Sequence, residues 1–311
     1  MFQGLTQLAD ALRPSTYQVL PLDKWLQGTL RELLPTLRPT FRALQWPVAR
    51  VMDGLEALLL GIPFVIVLAL AAWLAWRAQG RALALFTAIS LLTLDWIGLW
   101  TETMVTFAMV LTAVVFCLIV GLPLGVLSAR SDGWERALRP LLDIMQTIPS
   151  FVYLVPIVML FGVGLVPAVI ATIIFALPPL VRLTNLGIRQ VDSELVEAGQ
   201  AFGSTRRQIL FEIQLPLALR TIMAGVNQTL MLALSMVVIG ALIGAGGLGL
   251  TVYTGLGRLD IGYATIGGLG IVLMAIILDR ITQALASEEA SRKRRAARAD
   301  RLARRRKARE A

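Results

Sequence analysis

Chemistry in so apolar a chain rests on few side chains. Asn227, Gln228 and Thr229 stand together inside a hydrophobic run, and Gln146 and Thr147 precede Pro149. Polar groups in a bilayer are costly unless they face protein or a water-filled path, so these mark either a solute route or hydrogen bonds between helices. Phe151, Tyr153, Phe161 and Phe175 offer ring faces to a quaternary ammonium group, or serve as packing. Histidine is absent and Cys117 is the only cysteine, which excludes histidine triads, a disulfide within the chain and a zinc site of the His/Cys kind. The lysines, Lys24, Lys293 and Lys307, lie outside any phosphate-cradling glycine loop, so nucleotide-driven work needs a partner. Asp95, Glu102, Asp143 and Asp279 are scattered near predicted span ends and form no catalytic carboxylate pair.

A polar interruption in the second half runs from Glu197 to Pro216, EAGQAFGSTRRQILFEIQLP. Its spacing predicts two short helices joined by a turn. Asp192 or Ser193 caps the first, Glu194 and Glu197 lie near its positive end, and Gly203 supplies a left-handed closing residue. Thr205 and Gln208 form a capping box for the second, which Pro216 is expected to interrupt. Ile209, Leu210 and Ile213 share one side of that helix, with Arg206, Arg207 and Glu212 elsewhere. Such a helix is built to be held against a neighbour.

These segments must be positioned by a membrane framework. The chain has 311 residues, 57% of them hydrophobic and only 16% charged, with a mean hydropathy of +0.73, which indicates an all-α polytopic membrane protein. Apolar runs of bilayer length are expected at about 57–76, 82–100 and 104–128, as two kinked helices within 141–182, and at about 221–243 and 263–284, about seven in all. Small-residue spacing at Gly121 to Gly125 and at Gly240 to Gly244 predicts close helix approach. Before the first span, Trp25, Leu26, Leu30, Leu33 and Leu34 are spaced as a short amphipathic helix ending at Pro35, lying at the membrane interface or against the protein itself. Residues Met1 to Asp10 show no signal-peptide pattern.

Arginine placement sets the orientation, because short cytoplasmic loops carry the positive excess. Arg77 and Arg81, Arg130, Arg136 and Arg139, and Arg182, Arg189, Arg206, Arg207 and Arg220 fall on one side with the basic tail. The opposite connections hold Glu102, Arg258 and Asp260. The loop and the C-terminus are therefore expected in the cytoplasm and residues 1–56 outside. The net charge of +9 sits largely in the tail, whose Arg304-Arg305-Arg306-Lys307 run has no aromatics to stack bases. It anchors topology or meets anionic lipid, and nucleic acid is not an expected partner.

Glu197-Ala198-Gly199, then Gly203, then Ile213-x-Leu215-Pro216 resembles the EAA loop of ABC-importer permeases, with Gly199 in place of the usual second alanine. The stretches Leu141 to Gly164, Thr172 to Thr184 and Met223 to Ile239 are similar to permeases of glycine betaine/proline betaine importers. The resemblance implies a type I ABC importer permease fold in the cell inner membrane. It also implies a homodimer, two ATP-binding subunits in the cytoplasm and an extracytoplasmic substrate-binding protein. On this reading ATP is bound by the partner and no cofactor by this chain. Glu197, Ala198, Gly199, Gly203, Ile209, Leu210, Ile213, Leu215 and Pro216 become the ATPase-coupling residues. Gln146, Phe151, Tyr153, Asn227, Gln228 and Thr229 are the candidates for the substrate path, and choline or carnitine are alternative solutes. The domains are then a tail at 1–56, accessory helices at 57–100, a permease core at 101–285 with its coupling loop at 185–220, and a basic tail at 286–311. The rival readings are a membrane scaffold or osmosensor and a passive channel.

Overall fold

The structure is a computed structural model that describes residues 22–284; the expectations for the first 21 residues and for the basic tail lie outside them. The described residues form helices and connecting turns, without strands. Helix α1 spans Leu22–Gly61 and runs through Pro35, Pro39 and Pro47, so the expected short helix ending at Pro35 is instead one of 40 residues. Tertiary contacts hold it. Met52 is fully buried and accepts a 3.4 Å hydrogen bond from Thr112, Phe41 meets Phe161 edge to face, and Arg38 Nε donates to the Met159 carbonyl at 3.1 Å.

The expected first two spans are reshaped. After Gly61 the chain breaks at Pro63, and α2 (Phe64–Gln79) leaves at 104° to the preceding helix. Helix α3 (Arg81–Trp96) has 16 residues, about 24 Å of rise, short of the roughly 30 Å of hydrocarbon in a bilayer. The turn at Ile97 to Leu99 ends it early, and α4 (Trp100–Arg130) takes over as a helix of 31 residues.

Helix α5 (Asp132–Thr147) is strongly amphipathic and meets the 3₁₀ turn Ser150–Tyr153 and α6 (Leu154–Phe161) at 106°, with Pro149 at the break. Arg182 and Arg189 of α7 (Leu165–Arg189) hold α5 by ion pairs to Asp143, Asp132 and Glu135. Helix α7 carries Pro178 and Pro179 within its length, both buried. Helices α8 (Ser193–Ala201), α9 (Arg206–Ala241), α10 (Leu248–Gly257) and α11 (Ile261–Ala284) complete the chain. Four helices, α4, α7, α9 and α11, are uninterrupted and long and apolar enough to cross a membrane, or up to six crossings if each bent pair is one. The expectation of about seven exceeds this because α3, expected as a span at 82–100, ends after 16 residues, and bends at Pro63 and Pro149 fold two other apolar runs.

Helices α4, α7 and α9 form the core, with Ala108, Ala113, Cys117, Val169, Ala176, Leu180 and Met236 each at most 1% exposed. Small residues set their separation, as the sequence predicts. A β-carbon on Gly121 would stand 2.9 Å from Leu180 Cδ2, and one on Gly225 would stand 3.2 Å from Leu180 Cα. Gly240 sits equally close to Ala168, at 3.1 Å.

Candidate functional site

The loop between α7 and α9 is built from local rules. Asp192 caps α8, its Oδ1 accepting from Glu194 N at 3.0 Å. The far end closes as a Schellman motif: Gly203 N donates to Gln200 O at 2.9 Å and Ser204 N to Gly199 O at 3.0 Å. Gly203 has φ +80, the left-handed conformation that motif requires. Thr205 then opens α9 with a capping box, its N–H donating to Gln208 Oε1 at 2.8 Å while Gln208 N donates back to Thr205 Oγ1 at 3.3 Å.

Pro216 does not interrupt the second helix. The backbone from Ile209 to Gln214 widens into a π segment, and Leu215 N donates to the Leu210 carbonyl five residues back. Widening moves the carbonyl that a proline ring would otherwise strike, so the helix continues unbroken from Arg206 to Ala241. The second helix of the loop and a membrane helix are therefore one body.

The two sides of the loop differ in kind. Ile209 and Leu210 are buried, and Leu210 packs with Ile188, Ala218 and Ile222, ringed by Leu122, Val126 and Ala129. Gly199 is buried beneath Ile209 and Ile213, while Ile213, Leu215 and Pro216 are half-buried. Glu197 and Ala198 face outward, and Glu197 makes no hydrogen bond or ion pair among the described residues. Three outward apolar side chains went unnoticed in the sequence: Phe202 is 91% exposed, Phe211 62% and Leu195 47%. A phenylalanine within a helix-ending Q-A-F-G-S turn was the available signal, since nothing in so short a turn can bury it. All three stand on the polar loop, outside the packed core.

The substrate-path candidates do not converge on one place. Asn227 and Gln228 line a cavity of about 320 Å³ together with Arg220, Met223 and Gln283. Asn227 Nδ2 donates to Asp279 Oδ1 of α11 at 2.9 Å, and Gln283 Nε2 donates to the same oxygen at 2.7 Å. Thr229 Oγ1 instead donates to the Ala176 carbonyl at 3.0 Å, a bond that ties α9 to α7. Tyr153 is buried, its hydroxyl donating to Met145 O at 2.6 Å, and its ring meets Phe175 at 6.4 Å. Gln146 and Phe151 are exposed elsewhere, at the bend between α5 and α6.

A helical membrane core entered by a capped and hinged loop is the architecture of a transport permease. Residues 121–288 match the model of the binding-protein-dependent transport system inner membrane component family, and the chain belongs to that family. It is 53% identical over 283 residues to the glycine betaine/proline betaine transport system permease protein ProW of Escherichia coli (strain K12), covering 91% of this chain and 80% of that one. It is 46% identical to the glycine betaine transport system permease protein OpuAB of Bacillus subtilis (strain 168), covering 79% and 87%. The glycine betaine/carnitine transport permease protein GbuB of Listeria monocytogenes is 44% identical, covering 85% and 95%. Among solved structures, an inward-facing MetNI methionine ABC transporter superposes with a TM-score of 0.53 at 25% identity, covering 63% of this chain and 95% of its counterpart. The expected type I importer permease fold is the one observed.

Proposed function

We propose that this chain is the membrane permease of an ATP-driven importer for glycine betaine, proline betaine or a related quaternary ammonium solute. The observation that carries the coupling role is the division of the 197–216 loop. Glu197, Ala198 and Phe202 are presented outward, while Leu210 is locked among Ile188, Ala218 and Ile222. A separate ATP-binding subunit docks on the outward side, and its closure swings α8 and α9 against the core. One loop per chain calls for two copies of the permease, one for each ATPase, with an extracytoplasmic protein delivering solute. The names of the relatives support betaines as the solute class, and that of the Listeria relative adds carnitine. Asn227 and Gln228 stay candidates for the solute route, whereas Thr229 and Tyr153 serve as ties within the bundle.

The loop and the C-terminus lie in the cytoplasm and the N-terminal segment outside, an odd number of crossings that takes α3 as a seventh beside the four unbroken helices and the two bent pairs. Protease access to an N-terminal tag in intact cells tests this, and full protection there contradicts it. The function itself is tested by uptake of labelled glycine betaine into vesicles holding the permease, its ATPase and its binding protein, with choline, carnitine and proline betaine as competitors. ATP-dependent accumulation is expected. Accumulation that proceeds with the ATPase left out would overturn the reading.

A further inference from the structure

At the end of the bundle opposite the 197–216 loop, the first turn of α4 opens onto a cavity of about 310 Å³. Five parts of the fold wall it: Glu56 from α1, Glu102 from α4, the N-terminus of α7, the Gly246-Gly247 turn with α10, and Tyr263 from α11. The turn is fixed in place. Leu248 N donates to Thr106 Oγ1 at 2.8 Å, and Gly247, at φ +76, lies so near Thr106 and the Glu102 carbonyl that any β-carbon there would collide.

The lining contains two carboxylates and no lysine or arginine. Glu102 Oε2 is wholly buried and has no hydrogen-bond partner among the described residues. Glu102 also stands in the first turn of α4. A carboxylate oxygen withdrawn from water without a donor favours a positive charge nearby. Tyr263 and the threonines Thr101, Thr251 and Thr254 are the other polar or aromatic residues lining the space.

A quaternary ammonium group donates no hydrogen bond. It is held by carboxylates and by ring faces acting on a diffuse charge, most strongly where the local dielectric is low. We propose that this cavity receives the cationic head of a quaternary ammonium solute, with Glu102 as its counter-charge and Glu56 and Tyr263 beside it. The proposal rests on the importer reading above and deepens it, assigning a solute site within the permease itself.

The test is binding of labelled glycine betaine to the full permease–ATPase complex in nanodiscs without the binding protein, with tetramethylammonium as competitor. Wild type is expected to bind displaceably, Glu102→Gln to weaken binding at least tenfold, and Tyr263→Leu about fivefold, with Tyr263→Phe restoring it. The Tyr263 pair decides the matter where Glu102→Gln fails to assemble. Absence of displaceable binding in wild type, or wild-type binding by both Glu102→Gln and Tyr263→Leu, overturns the site. Uptake by the complete system is measured beside it. Uptake without binding here sinks the cavity alone; no uptake of any quaternary amine sinks the importer reading as well.

Discussion

The open face of Gly199 points at Ile213: a β-carbon placed there would stand 2.8 Å from Ile213 Cδ1 and 3.5 Å from Ile209 Cγ1. The first helix of the loop packs on the second here, at a close approach that only a very small residue permits. The obstructing atom is the tip of a flexible side chain, so one methyl is accommodated by a rotation of Ile213. Gly199→Ala is therefore expected to keep solute-stimulated ATPase within about twofold, helped by the roughly 0.5–1 kcal/mol that alanine gains over glycine inside a helix. Gly199→Val pushes the two helices apart and is expected to lose most of the stimulation in reconstituted complex.

Gly203 poses the opposite problem. Space around it is open, but its φ of +80 is costly for any residue with a β-carbon. Gly203→Val is expected to lose coupling, at roughly 1–2 kcal/mol of strain or more, whereas Gly203→Asn keeps most of it because asparagine visits this region readily. Uptake by the two variants at matched expression separates conformation from bulk, since both add volume.

Leu210 anchors α9 at the loop end of the core. Leu210→Ala leaves a cavity among Ile188, Ala218 and Ile222 and is expected to cost on the order of 2–5 kcal/mol in that small cluster. The readout is proteolysis at the exposed Arg206 and Arg207, which should quicken in the variant at unchanged membrane insertion.

The Phe202 side chain is 91% exposed among the described residues. Phe202→Ala is expected to leave thermal stability unchanged and to weaken capture of the ATP-binding subunit about tenfold or more, as loss of a central aromatic anchor does. Pull-down at graded ATPase concentrations measures it. Wild-type affinity in the variant would remove Phe202 from the docking surface.

Thr229 and Asn227 are expected to part company. Thr229→Val removes a bond to Ala176 between helices and should lower thermal stability, at about 0.6–2 kcal/mol, with the KM for uptake intact. Asn227→Leu strips Asp279 of one of its two donors and closes part of the cavity beside Gln228, so its expected signature is a raised KM.

What could be read in the sequence was what is decided locally. The Asp192 cap, the Thr205 and Gln208 box and the Gly203 turn each depend on residues within a few positions, and each is found as expected. Gly121 and Gly240, which help bring α4, α7 and α9 together, were legible from small-residue spacing, whereas Gly225 was not. Two prolines misled as helix ends. Pro35 and Pro216 lie inside continuous helices, the second carried through by a π segment, while Pro63 and Pro149 mark bends of 104° and 106°. Whether a proline kinks, ends or merely rides in a helix depends on neighbours far away in sequence. The Asn227–Asp279 pair and the Glu102 cavity were hidden for that reason too, because each joins segments more than 50 residues apart.

Because the π segment lets Pro216 pass without a break, the 36-residue helix from Arg206 to Ala241 acts as a solid crankshaft about 54 Å long. On the proposed coupling, a tilt given to it by a docked ATPase cannot be absorbed at the membrane surface. It reappears at the far tip, where Gly240 abuts Ala168 and the Gly246-Gly247 turn begins, so the two mouths of the bundle are mechanically geared to each other.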